Sequence, residues 1–170
     1  QVWIGTSSWK YEGWLDQIYT RSRYVTRGRF SQKRFEQECL AEYAEVFPIV
    51  CGDFSFYQFP TDAFWAKLFG GAPQALHFAL KVPEEITAKV FPAHSRYGAK
   101  AGLENESFLN ADVFETGFAK PLTPYAGRIK TLIFEFGAFS RRAMGSGDEF
   151  LMRLAPFLER LSPEFRYAVE

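Results

Sequence analysis

The sequence predicts an α/β fold built from repeated strand–helix units. Short apolar runs alternate along it with amphipathic stretches, the pattern such units leave. Its 170 residues are 47% hydrophobic, enough to bury a core and too apolar for a disordered chain. Its two longest connections, from Trp9 to Phe30 and from Pro83 to Glu106, both follow strands, on the face where β/α folds place ligands. Twenty basic and twenty acidic side chains cancel, which excludes a polybasic nucleic-acid coat or an acidic tail but not a local patch. The aromatic share of 18% requires a thick core or a stacking surface. Cys39 and Cys51 are too far apart for a CxxC site and too few for a disulfide framework. No apolar run approaches the ~18 residues of a membrane span, and no signal-peptide pattern opens the chain, so a cytoplasmic protein without a membrane partner is expected.

Each element has its own warrant. Val2–Gly5 is an apolar run that ends in Thr6, Ser7 and Ser8, the first strand. Ser31 is positioned as an N-cap for a helix whose residues Phe35, Cys39, Leu40, Tyr43, Ala44 and Phe47 share one face. Pro48 stops it, and Ile49, Val50 and Cys51 open a second strand running to about Tyr57. Thr61 or Asp62 caps a helix carrying Phe64, Trp65, Leu68 and Phe69, closed by Gly70-Gly71. Leu76–Val82 is the third strand. A helix around Phe108–Ala119 should end at Pro121, and Thr131–Phe136 is the fourth strand. Phe150, Leu151, Leu154, Leu158 and Leu161 form a last helical face, which Pro156 should kink or split. Phe165–Glu170 begins a fifth strand. That strand has no following helix to cover it, so one domain spanning 1–170 and truncated on its C-terminal side is expected.

Five blocks carry a family resemblance. Ile4-Gly5-Thr6-Ser7-Ser8-Trp9, with Tyr11 and Trp14 after it, resembles the opening of the YecE-like family, also called domain of unknown function 72. Leu40–Phe47, Asp53–Pro60, Leu80–Thr87 and Ala168–Glu170 resemble that family's first helix, second strand and turn, lysine-bearing third strand and fifth-strand start. The resemblance implies a (β/α) TIM-type barrel, here an incomplete one covering about the first five strands, since a full barrel takes about 250 residues. It implies no settled activity. Three positions depart from the family pattern. Cys51-Gly52-Asp53 stands where Glu-x-Asn is usual, Ala88 where His often follows Ile-Thr, and Glu135-Phe136-Gly137 where the fourth strand usually ends Gln-x-Pro.

In a barrel every second strand residue points inward. On that parity the expected mouth holds Lys81, Asp53, Glu135 and Glu170 as catalytic candidates, with the hydroxyls of Thr6 and Ser8. Lys81 would position an anion or polarise a carbonyl, with one carboxylate as general base. The competing reading is an ion-pair network that merely closes the barrel. Three carboxylates would also suit Mg²⁺ or Mn²⁺, although no other cofactor is evident. His77 is expected as a core histidine and His94, in the second long connection beside Arg96, Tyr97 and Lys100, as a side chain that reaches the mouth.

The sharpest charge feature is Gln17–Phe35, with Arg21, Arg23, Arg27, Arg29, Lys33 and Arg34 and no acid among them. Arginines interleaved with aromatics bind phosphates and stack bases. Trp9, Tyr11, Trp14, Tyr57, Arg27, Arg29 and His94 are therefore the candidate binding residues, for a small anionic ligand or a nucleic acid. The alternative is a solvated loop whose charge is offset by the acids of the next helix. Three functions follow: a hydrolase of phosphorylated or nucleic-acid-like substrates, a non-catalytic ligand-binding protein, and a sugar or sugar-phosphate isomerase by fold analogy alone.

Overall fold

The computed structural model describes residues 2–170. Seven strands lie among them: β1 Gly5–Thr6, β2 Val25–Thr26, β3 Arg29–Phe30, β4 Ile49–Gly52, β5 His77–Lys81, β6 Ile129–Phe134 and β7 Tyr167–Val169. The α-helices are α1 Gln32–Val46, α2 Asp62–Gly71, α3 Glu84–Thr87, α4 Ala111–Phe114, α5 Lys120–Leu122 and α6 Gly147–Glu159. Five strands form one parallel sheet in the order β1-β4-β5-β6-β7, which is their order along the chain. The fold is mixed α/β with this sheet at its centre, and β1 and β7 are its two edges. No closed barrel forms among the described residues.

The caps and breakers act locally as their chemistry dictates. Ser31 accepts the Arg34 N–H to start α1, and Thr61 accepts the Phe64 N–H to start α2. Pro121 does not end its helix. A π-helical turn, Glu115–Ala119, runs directly into α5, and Pro121 is carried within that continuous helical stretch. Pro156 is likewise carried inside a continuous α6. The strands are shorter than their apolar runs: β4 stops at Gly52, because Asp53 opens a turn in which its carbonyl accepts the Phe56 N–H.

The aromatic load goes into the core. Val50, Phe78, Leu80, Leu132 and Phe134 point from the sheet into a fully buried layer with Phe35 and Tyr43 of α1, Trp65 of α2, and Phe114 and Phe118. Phe134 packs edge-on against Phe157 of α6, and Trp65 against Phe118.

The long connections are structured. In the first, β2 and β3 form a hairpin turned by Arg27 (φ 53°) and Gly28 (φ 76°), the paired left-handed geometry of a two-residue turn. In the second, α3, a bridge between Val90 and Glu104 and a 3₁₀ turn at Ser95–Lys100 build a compact flap.

Candidate functional site

Parallel register assembles the site. Gly52 pairs with Leu80 and Lys81 with Ile133, so Asp53 and Glu135 emerge just beyond the strand ends on either side of Lys81. The Lys81 ammonium donates to Glu135 and lies 3.6 Å from Asp53 Oδ1. Glu170 joins from the next strand, held by its backbone pairing with Phe134 and Phe136. The side chains are 19% exposed for Lys81, 35% for Glu135 and 51% for Asp53, so the cluster is open at its carboxylate rim. The hydrogen bond to Glu135 raises the Lys81 pKa, burial opposes it, and the charges of Asp53, Glu135 and Glu170 add to the rise. Lys81 is therefore a fixed cation, not a base. Cys51 sits on the same face, where burial and then Asp53 push its thiol up and away from thiolate chemistry.

Beside the cluster lies a cavity of about 550 Å³ with Glu84, Glu135 and Thr87 in its wall. The rest of the lining is mostly apolar, from Phe56, Val90, Phe91, Pro92 and Phe139. Glu84 Oε2 is sealed from solvent with no hydrogen-bond partner among the described residues. Burial raises its pKa, Arg96 opposes the rise and Glu135 adds to it. Glu84 and Arg96 were not singled out from the sequence. The available signal was a pair of acids placed directly after Pro83, where a strand has just ended.

The remaining candidates separate. Thr6 is a correction. Its pairing with Val50 turns it to the helix side, where its hydroxyl lies 2.9 Å from Tyr43 Oη and donates to the Ser8 carbonyl. Ser8 is an exposed turn residue that accepts the Lys10 N–H. Trp9 packs edge-on against Phe54, next to Asp53, and so borders the site. Trp14 packs instead on Tyr19 and Phe47, against the far end of α1, while Tyr11 leans on Trp14 and is exposed. Tyr57 is exposed and covered by the Arg96 guanidinium, 4.2 Å from its ring centre. His94 turns to its own backbone, accepting the Arg96 N–H at 3.2 Å, so Arg96 is the flap residue that approaches the acids. His77 stands low on the inner face, edge-on to Trp3. Among the described residues no three His, Cys, Asp or Glu side chains are grouped as metal ligands.

Half of the basic segment is neutralised. Arg21 pairs with Asp16, Arg23 with Glu42 and Glu45, and Arg34 with Glu38. The segment is held against α1 by Glu42, which accepts from Thr20 and from Tyr24. Arg27 and Arg29 are exposed at the hairpin and make no ion pair among the described residues.

A family model described as "Protein of unknown function DUF72" matches residues 3–170. No curated protein matches the chain. Among solved structures, a DUF72 family protein from Thermotoga maritima is similar with a TM-score of 0.56 and 22% identity, covering 99% of this chain and 54% of that one. Another from Enterococcus faecalis has a TM-score of 0.52 and 19% identity, covering 76% of this chain and 46% of that one. The chain spans about half the length of these structures.

Proposed function

The chain belongs to the DUF72 family, whose function is unknown, and from that premise we propose that the strand-end cluster is the centre of a hydrolase at the C-terminal mouth of a β/α-barrel-type sheet. One observation carries the reading: a permanently charged lysine is clasped between two carboxylates that register, not chance, delivers to it. Lys81 holds the substrate oxygen on which negative charge develops. The more exposed Asp53 takes a proton from water as the water oxygen bonds to the substrate centre and the bond to the leaving oxygen breaks; that proton then passes to the leaving oxygen, and Glu135 fixes the ammonium throughout. Glu170 adds to the field on Lys81 and has no separate role.

Hydrolysis is tested with a panel of 4-nitrophenyl phosphate, bis(4-nitrophenyl) phosphate and 4-nitrophenyl glycosides. We expect turnover of at least one class and a loss of about 100-fold or more in Lys81→Met, with unfolding unchanged. Turnover that survives in that variant would make Lys81 structural, and a silent panel would leave a binding protein.

A second reading has its own observation. Arg27 and Arg29 carry charge that nothing nearby cancels, so a phosphorylated or nucleic-acid-like ligand would meet them first.

A further inference from the structure

Glu84 lies in the cavity wall in a way that an ordinary structural carboxylate does not. A buried carboxylate is normally tied to a cation or to backbone N–H groups, because an unpaired buried charge is costly. Glu84 makes no ion pair among the described residues, and its Oε2 has no hydrogen-bond partner. The charged groups near it are Arg96 of the flap, which opposes its rise, and Glu135, which adds to it, with Lys89 in the same cavity wall. Burial dominates both, and it favours the uncharged acid. Oε2 is thus a sealed oxygen in the cavity wall whose hydrogen-bonding capacity is unmet among the described residues.

We propose that the cavity binds an uncharged ring-bearing group with a hydroxyl, and that Glu84 Oε2 makes the hydrogen bond that holds this hydroxyl. The walls from Phe56, Val90, Phe91, Pro92 and Phe139 suit the faces of a ring. Glu135, at the boundary with the cluster, repels an anion from the same space. The inference rests on the cluster being the functional centre, and it names what sits beside the reacting bond: a neutral group, not a phosphate.

The test is a titration of the isotopically labelled 170-residue chain at pH 6 with phenol and, separately, benzoate, followed by NMR. Phenol should shift the backbone amides of Val90, Ala138 and Ala143 saturably, and benzoate should not. Glu84→Leu should weaken phenol binding about tenfold, the worth of one buried hydrogen bond. Glu84→Gln, whose carboxamide still donates, should stay within about threefold. A carbon-detected titration of the Glu84 carboxyl should show it protonating above the ordinary glutamate range of about 4.3. Unsaturable phenol shifts, equal binding of benzoate, or full affinity in Glu84→Leu would overturn the proposal. If Glu84→Leu does not fold, the carboxyl titration decides instead, and an ordinary value overturns it. Phenol binding by the parent chain with no turnover of any substrate on the hydrolysis panel would sink the hydrolase reading and leave this one standing.

Discussion

At the scale of single residues, the strongest polar anchor is not in the candidate site. Glu42 is buried in α1 and accepts the Thr20 N–H at 2.9 Å, the Thr20 hydroxyl at 2.6 Å and the Tyr24 hydroxyl at 2.6 Å, with Arg23 3.5 Å away. Burial alone would raise its pKa, but these hydrogen bonds and the Arg23 charge outweigh burial and lower it. A carboxylate with a depressed folded pKa adds stability that is fully present above its unfolded value, near 4.3, and is lost as pH falls through the folded one. Glu42→Gln should therefore cost about 1–3 kcal/mol at pH 7, since Tyr24 and Thr20 lose a charged acceptor. The difference between variant and parent should shrink steadily below about pH 4.3. Urea unfolding of both proteins at pH 7 and pH 3.5 measures this, and a pH-independent difference would mean that packing, not charge, is what Glu42 contributes. The contrast with Glu84 is instructive. Glu42 is buried and saturated with donors, whereas Glu84 is half-buried with one sealed oxygen that has no partner among the described residues, so the first is an anchor and the second is open to a ligand.

At the scale of elements, Gly5 is the residue on which strand β1 depends. A Cβ at that position would fall inside the Ile49 carbonyl oxygen, and a backbone atom cannot swing aside as a side chain can. Gly5→Ala should push β1 off β4 and cost at least about 2 kcal/mol. Gly70→Ala, in α2 with open space around it, should instead gain about 0.5–1 kcal/mol through helix propensity. Thermal unfolding of the two variants should thus move in opposite directions, and a silent Gly5→Ala would mean that β1 is not held by that contact. The same strand shows where the sequence was legible and where it was not. Period-2 alternation along β4, β5 and β6 was enough to bring Lys81, Asp53 and Glu135 to one place, because apolar runs fix which face is buried. It failed for Thr6, since β1 pairs over only two residues and its own pattern is too short to define a face. The hydroxyl side followed from pairing with Val50, which is tertiary information. Glu84 was missed for a related reason. It sits in a four-residue helical turn with no period to read, and its importance comes from a cavity assembled by the flap and the segment after β6. The arginine segment looked acid-free in sequence, yet its neutralising partners were Asp16 just before it and acids of α1 up to 22 positions away.

At the scale of the whole molecule, zero net charge means that affinity for a polyanion must come from a local surface. The basic segment supplies less of one than its composition suggests. Asp16, Glu38, Glu42 and Glu45 engage Arg21, Arg34 and Arg23, and the cluster at the strand ends sets one lysine against three carboxylates. Arg27, Arg29 and Lys33 are left among the described residues, the two arginines at the tip of a hairpin whose left-handed turn exposes them. Two phosphate contacts on a single strand release few counterions. A plot of log affinity against log salt for a single-stranded oligonucleotide should then have a slope near −1.4, against about −4 if all six basic residues of the segment were engaged. Replacing Arg27 and Arg29 by Ala should bring that slope close to zero and abolish measurable binding, while hydrolysis of an uncharged glycoside on the same panel stays unchanged. Titration at four or five ionic strengths reads the slope directly. A steep slope that survives the double replacement would show that the paired arginines open to meet a ligand, and the phosphate reading would then rest on the whole segment. A flat slope in the parent chain removes the polyanion from consideration. The mouth would then be left to neutral, ring-bearing substrates, the class that the net negative cluster and the apolar cavity beside it already favour.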